Sequence, residues 1–106
     1  MINSKRAFAI EKMIAKFLGW KRIPFSGGKW FAKEDLESDF YLGQVKATSQ
    51  TAIKINIKDV ATLEKNAVKY HKKEAFIIHF DRNDIINSTW VMVPIKHFKE
   101  IMDESE

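Results

Sequence analysis

Residues 35–47 of this chain, DLESDFYLGQVKA, place Asp35 nine positions before a Gln-Val-Lys triplet. The second half of the stretch is largely apolar and predicts a strand. Because alternate residues of a strand share a face, Gln44 and Lys46 point the same way and Val45 points to the opposite face. An amide beside an ammonium group is costly for an apolar core to hold. The pattern therefore indicates a polar site at the end of this strand.

The composition predicts one compact domain. The chain has 106 residues, of which 45% are hydrophobic and 12% aromatic, enough for a real core. It has no cysteine, which excludes disulfides, thiolate nucleophiles and cysteine zinc sites and fits a reducing cytoplasm. No apolar run approaches the length of a membrane span, so we expect an intracellular protein with no membrane partner.

Positive charge is concentrated in the first third of the chain. Residues 1–33 hold eight Lys or Arg and one acid, a balance of 8 − 1 = +7, whereas residues 34–106 hold ten basic and thirteen acidic residues, a balance of 10 − 13 = −3. Such a basic segment is typical of a face that binds a polyanion. A solvated, lysine-rich helix explains the charge equally well.

The hydrophobic pattern predicts an α/β fold. An amphipathic helix is expected to end at Gly19, and Asp59 is the expected N-cap of the second helix. In the last helix, Ile95, Phe98 and either Ile101 or Met102 are expected to face inward. Helices are predicted at residues 4–18, 59–70 and 95–103, and strands at 20–25, 39–47, 52–57, 75–80 and 89–93. The order is α-β-β-β-α-β-β-α, with a mixed central sheet flanked by helices.

The polar site suits the hydrolysis of a phosphodiester, which needs an activated water and a neutralised phosphate. Mg²⁺ supplies both while it is held by few carboxylates. Asp35 is the first candidate ligand, with a weaker contribution from the Gln44 amide oxygen and one from the Val45 carbonyl. Lys46 would orient the water or stabilise the developing charge. Taken alone, Lys46 is better explained as a lysine that protects a strand edge, and the catalytic interpretation is favoured only together with Gln44, Asp35 and the preceding Ser-Gly loop.

Glu11 is a further candidate on the first helix. It lies on or beside the apolar stripe, where an acid is unfavourable unless a metal or a lysine pairs with it. The alternative is a surface residue paired with a neighbouring lysine on the helix, and the helix alone favours that alternative.

Four segments together resemble the PD-(D/E)xK nuclease superfamily, and within it the archaeal-type Holliday-junction resolvases and their short phage-encoded relatives. Those proteins carry an acid in the first helix, an Arg-x-Pro-x-Ser-Gly segment, a Gly-Asp element and a Glu-x-Lys strand. The resemblance covers nearly the whole chain. The matching segments are Glu11, Arg22–Gly28, Lys33–Leu36 and Phe40–Thr48.

The resemblance implies a single nuclease-like domain over residues 1–106 with a restriction-endonuclease-like core. It implies a homodimer that cleaves branched DNA with Mg²⁺, or Mn²⁺ in its place, in the cytoplasm of the cell or of a phage's host. The implied catalytic residues are Glu11, Asp35, Gln44 and Lys46, and the implied metal ligands are Glu11, Asp35, Gln44 and Val45. The candidate DNA contacts are Lys5, Arg6, Arg22, Ser26, Lys29 and Thr48.

The chain departs from this pattern at two positions. Glu34 stands where relatives often have glycine, which we expect to alter only the loop. Gln44 replaces the usual Glu, which weakens Mg²⁺ binding because an amide is neutral, and which removes a possible base. Asp39 would compensate if the loop brought it close. Gln44 also leaves two other functions open, a non-catalytic DNA-binding module on a nuclease-like scaffold and a protein-interaction domain.

Overall fold

The computed structural model describes residues 2–23 and 34–105 and has the expected α/β organisation, with three α-helices and a five-stranded mixed sheet in those residues. A single 3-10 turn precedes the last strand at Ile86–Ser88. The helices are α1 (Ser4–Leu18), α2 (Ile57–Lys69) and α3 (Ile95–Ser105). The strands are β1 (Lys21–Arg22), β2 (Leu36–Glu37), β3 (Tyr41–Thr48), β4 (Lys73–Phe80) and β5 (Thr89–Met92).

The sheet has the spatial order β1-β2-β3-β4-β5. Its pairs are antiparallel except for β3 and β4, which run parallel over their full length from Tyr41 against Lys73 to Thr48 against Phe80. Parallel neighbours need a crossover connection, and α2 provides it. The predicted mixed central sheet is therefore confirmed.

The helices cover opposite faces of the sheet and create two apolar cores. On the α1 side, Val45 and Ala47 of β3 pack against the helix. On the α2 side, Leu42 of β3 is buried against the crossover helix. The buried members of the first core are Ile10, Ile14, Ala15, Leu36 and Ile77, and those of the second are Leu42, Leu63, Ala67 and Phe76. The alternation predicted for β3 is present, since its odd and even positions face different helices.

The helix ends agree with the sequence in α1 and differ in α2. Gly19 ends α1 in the left-handed region at φ 72°, as predicted, because glycine enters that region without steric cost. The predicted cap at Asp59 is wrong. The cap is Asn56, whose side-chain oxygen accepts a hydrogen bond from the Asp59 backbone N–H at 2.9 Å.

Two strand predictions are wrong. The stretch 52–56 has no regular structure and leads directly into α2, whereas Leu36–Glu37, predicted to be irregular, forms β2. A two-residue strand carries no readable periodicity, and β2 exists because it pairs with β1 and β3. Only Lys21–Arg22 of the predicted strand 20–25 is a strand, and its last two positions lie outside the described residues.

The prediction for the last helix is also wrong. Ile95 is 86% exposed and Phe98 53% exposed, and the residue of α3 that is buried is His97. The His97 ring Nε2 lies 3.0 Å from a carboxylate oxygen of Glu74 on β4. A polar contact with the sheet therefore fixes the orientation of α3, and its apolar stripe faces outward.

Candidate metal and DNA site

Asp35 lies at a bend immediately before β2 and is tied to β3 by both backbone and side chain. Its N–H donates a hydrogen bond to the Gly43 carbonyl at 3.0 Å. Gly43 is the regular partner of the next residue, Leu36, so this bond is out of register with the β2–β3 ladder. Its carboxylate Oδ2 accepts the Val45 N–H at 2.8 Å. The carboxylate thus takes the hydrogen bond that a backbone carbonyl would accept in a continuing ladder, which fixes it beside β3 at the start of β2.

Asp35 keeps a raised pKa in this position. Burial raises the pKa of its carboxyl, and the Val45 N–H and the positive charges of Lys46 and Arg22 lower it without cancelling the effect of burial. The carboxylate is thus held in a place where its charge is incompletely compensated. Such a place favours the binding of a cation.

Glu11 approaches the same place from α1. Burial raises the pKa of its carboxyl, repulsion from Asp35 raises it further, and Arg22 lowers it. The Arg22 guanidinium Nη2 lies 3.6 Å from a Glu11 carboxylate oxygen. Glu11 is therefore not paired with a lysine of its own helix. The fold brings it to Asp35, with an arginine beside it.

Arg22 is fixed by more than this ion pair. Its guanidinium carbon lies 4.1 Å from the centre of the Phe8 ring, a cation–π geometry. Its Nε is buried and has no hydrogen-bond partner among the described residues. The aromatic contact holds the positive charge between α1 and the sheet, next to Glu11.

Lys46 and Gln44 lie on the α2 face of β3. The Lys46 ammonium is 3.2 Å from a carboxylate oxygen of Asp59 near the start of α2, in a partly exposed ion pair. Its charge still lowers the pKa of Asp35. Gln44 is partly buried and sits opposite Phe76 of β4 in the parallel register. The alternation that groups Gln44 with Lys46 separates both from Val45.

An open cavity of about 380 Å³ lies on the α1 side of β3. Its lining includes Glu11, Val45 and Thr48, three residues that the sequence analysis selected. The other lining residues are Ile2, Ala7, Ala47 and Gln50. The candidate residues are thus divided between the two faces of β3, and Asp35 lies beside the strand, hydrogen-bonded to Val45.

The candidate DNA contacts have different surroundings. Lys5 is exposed on α1, and Thr48 accepts a hydrogen bond from the Gln50 N–H at 3.0 Å. Arg6 forms an ion pair with Asp81, with Nη2 and Oδ1 2.6 Å apart. This pair orients the guanidinium and occupies part of its hydrogen-bonding capacity. Ser26 and Lys29 lie outside the described residues.

Asp81 also lies beside His79, which is fully buried on β4. The His79 ring contacts Thr89 Oγ1 at 2.9 Å and an Asp81 carboxylate oxygen at 3.4 Å. Its burial and these contacts give His79 a structural role in the core. Together these contacts join α1 to β4 through side chains.

Glu34 is the residue that the sequence analysis underestimated. It is only 8% exposed, and one carboxylate oxygen accepts a hydrogen bond from the Asn66 amide on α2 at 3.0 Å. The other oxygen, Oε2, is buried and has no hydrogen-bond partner among the described residues. In the sequence, the only indication of a role for Glu34 was its position next to Asp35. From that position we expected only an altered loop.

Within residues 2–23 and 34–105, no three His, Cys, Asp or Glu side chains are grouped so as to hold a metal ion. In the same part of the chain, no helix has the length and apolar character needed to cross a membrane. The chain matches no protein-family model, and comparisons with curated proteins and with solved structures gave no match.

Proposed function

We propose that this chain is a metal-dependent DNA endonuclease that cleaves branched DNA, with Asp35 at the centre of its site. The observation that carries the proposal is the position of the Asp35 carboxylate. It is fixed by the Val45 N–H, repelled by Glu11 and attracted by Lys46. Two carboxylates and a lysine are the kinds of group that metal-dependent hydrolysis of a phosphodiester uses.

The oxygen atoms of the candidate ligands are of the type that suits a hard divalent cation such as Mg²⁺ or Mn²⁺. Such ions prefer carboxylate, carbonyl and amide oxygens, which Glu11, Asp35, Val45 and Gln44 supply. Repulsion between Glu11 and Asp35 contributes to the raised pKa of Glu11, and a cation would relieve it. When bound, the ion would neutralise charge on the reacting phosphate.

Lys46 supplies a positive charge from the other face of β3. In the free protein its ammonium forms an ion pair with Asp59, at 3.2 Å, and its positive charge also acts on Asp35. We infer that a phosphate bound beside Asp35 would compete with Asp59 for this ammonium. Lys46 would then stabilise negative charge that develops on the phosphate.

The basic α1 would hold the DNA backbone. Lys5 is exposed near its start, and Arg22 of β1 lies beside Glu11 in the middle of the helix. Phosphate contacts of this kind position a duplex without reading its sequence, which suits a protein that recognises branched shape. The ion pair with Asp81 gives Arg6 a fixed direction rather than a free guanidinium.

Two copies of the chain would act together, since paired cuts across a junction need two sites. The surface that we assign to the contact is the apolar stripe of α3, which consists of Ile95, Phe98, Ile101 and Met102. All four residues are exposed, by 40% to 86%. A C2 contact places the same patch of both copies face to face, and an apolar stripe is complementary to itself.

A second candidate function is a non-catalytic DNA-binding module on the same scaffold. The Lys46–Asp59 ion pair and the neutral amide of Gln44 favour it. The ion pair engages the candidate catalytic lysine, and the amide provides no negative charge for a metal ion. Titration with Mg²⁺ or Mn²⁺ in a calorimeter distinguishes the two functions. Absence of binding at millimolar metal would favour the module.

The experiment that tests the first function compares matched four-way junction, duplex and single-stranded DNA with Mg²⁺ and with Mn²⁺. We expect cleavage of the junction by the wild-type chain. Lys46→Ala should abolish cleavage and leave junction binding in place. Full junction cleavage by Lys46→Ala would refute the assignment of the site.

A further inference from the structure

A carboxylate that the strand motif does not contain lies next to Asp35 in the chain. Glu34 immediately precedes Asp35, is 8% exposed, and leaves Oε2 buried without a hydrogen-bond partner among the described residues. A buried carboxylate oxygen without a donor is unfavourable in a folded protein unless something else compensates it. The residues of the proposed site, described above, do not account for it.

The backbone bend at Asp35 determines where Glu34 points. Leu36 packs in the α1-side core, so strict alternation through β2 would also place Glu34 on that side. Its hydrogen bond to Asn66 instead places Glu34 on the α2 side. The irregular bonding of Asp35 to Gly43 and Val45 marks the point where the alternation breaks.

Glu34, Gln44 and Lys46 all lie on the α2 side of the sheet. Lys46 reaches α2 at Asp59, and Gln44 lies on the same face of β3 two positions earlier. The charges of Asp35 and Lys46 both act on the Glu34 carboxyl, the first repelling it and the second attracting it. Glu34 therefore lies within electrostatic reach of both candidate catalytic groups.

We propose that Glu34 supplies the carboxylate that Gln44 lacks, as an additional oxygen ligand for a divalent cation held with Asp35. This inference rests on the proposed metal-dependent function. It replaces the alternative that Asp39 compensates, because Asp39 is exposed in the turn between β2 and β3, at the end of the hairpin opposite Asp35. Asn66 acts as a positioning residue that holds the first Glu34 oxygen and leaves Oε2 for the ion.

The test measures Mn²⁺ binding by calorimetry without DNA, on the full chain, for four variants and the wild type. Glu34→Gln should raise the Mn²⁺ dissociation constant by more than about tenfold, the size seen when even an outer partner of a ligand is lost. Asp39→Asn removes the same charge from the same hairpin and should leave the dissociation constant unchanged. Thermal denaturation shows whether each variant is folded.

A rescue variant separates a ligand role from a structural role. In Glu34→Gln combined with Gln44→Glu, a carboxylate returns to the same face of the sheet, and Mn²⁺ affinity should return to within about threefold of wild type, a small effect beside the loss of a ligand. Unchanged affinity in Glu34→Gln, or failure of the double variant to recover, would overturn the inference.

The fourth variant, Asp35→Asn, distinguishes this failure from failure of the proposed function. If Asp35→Asn loses Mn²⁺ binding while Glu34→Gln retains it, the site stands and the role of Glu34 is refuted. If neither the wild type nor any variant binds Mn²⁺, the proposed metal-dependent function fails, and the inference fails with it.

Discussion

At the scale of single residues, the buried carboxylates of the candidate site lower the free energy of unfolding, and this effect can be measured. Glu11, Glu34 and Asp35 all have a raised pKa, in each case chiefly because burial disfavours the charged carboxylate. Between the ordinary carboxyl pKa and the raised value, the folded chain holds protons more tightly than the unfolded chain. The free energy of unfolding therefore falls as the pH rises through that window.

Asp35→Asn should consequently raise the melting temperature at pH 7. The asparagine oxygen can still accept the Val45 N–H, and the poorly compensated charge is gone. Asp84→Asn is the matched control. Asn87 lowers the pKa of Asp84 by hydrogen bonds, so the native carboxylate is favourable there and its removal should bring no gain. A melting temperature for Asp35→Asn at or below that of the wild type would contradict the account.

Gln44→Glu should keep nuclease activity and reduce the Mg²⁺ required. The substitution adds a negative charge to the polar face of β3, where Lys46 is two positions away. We expect the half-maximal Mg²⁺ concentration for junction cleavage to fall by about tenfold, the usual scale for one partner of a metal site. A metal titration that superimposes on that of the wild type would show that residue 44 is not a ligand.

At the scale of elements, α2 connects the two parallel strands and carries the partners of Lys46 and Glu34. Its N-terminus depends on Asn56, which accepts the Asp59 N–H at 2.9 Å. Asn56→Ala should lower the free energy of unfolding by ~1 kcal/mol, as is usual for loss of an N-cap. Denaturant unfolding measures this, with Thr62→Ala on the exposed face of the helix as a control. An equal loss in both variants would argue against the cap.

The elements also show which parts of the fold were predictable. β3 and β4 each run for eight residues with buried apolar side chains, and both were found from the sequence. β2 was missed because two residues carry no periodicity and its existence depends on its neighbours. The alternating isoleucines before α2 predicted a strand, but the chain there only leads to the Asn56 cap.

The candidate site was likewise predictable where it depends on a local sequence pattern, and not where it depends on tertiary contacts. Asp35 and Lys46 were selected because of their spacing and because Lys46 lies on a strand with a clear apolar pattern, and Glu11 was selected as an acid beside an apolar stripe. The orientation of Glu34 was not predictable, because it follows from a backbone bend that exists only when Asp35 bonds β3. The exposure of the α3 stripe depends likewise on a tertiary contact, between His97 and Glu74.

At the scale of the whole molecule, the stripe of α3 predicts self-association. Phe98→Glu places a charge in the middle of the stripe and should convert the dimer to monomer in sedimentation analysis. Lys96→Ala, at an exposed position between Ile95 and His97, should leave the dimer intact. A wild-type chain that is monomeric at micromolar concentration would contradict the assignment of this surface.

The charge distribution predicts how salt should affect the proposed DNA binding. Contacts between basic α1 residues and phosphates would release counterions, so the logarithm of the association constant should fall linearly with the logarithm of salt concentration. Lys5→Ala should reduce that slope by roughly one and weaken junction and duplex binding alike. Binding that is insensitive to salt would favour a protein-interaction domain over a nuclease.

The most direct measurement is the initial rate at which the wild type and Asp35→Asn cleave an end-labelled four-way junction in Mg²⁺, with junction affinity measured in parallel. The account predicts cleavage by the wild type and a loss of more than ~100-fold in Asp35→Asn, because the cation contributes several kcal/mol to the reaction. Junction affinity should change by less than about twofold, since the substitution leaves the basic side chains of α1 that would neutralise phosphates in place. Cleavage by Asp35→Asn at the wild-type rate would contradict the central claim.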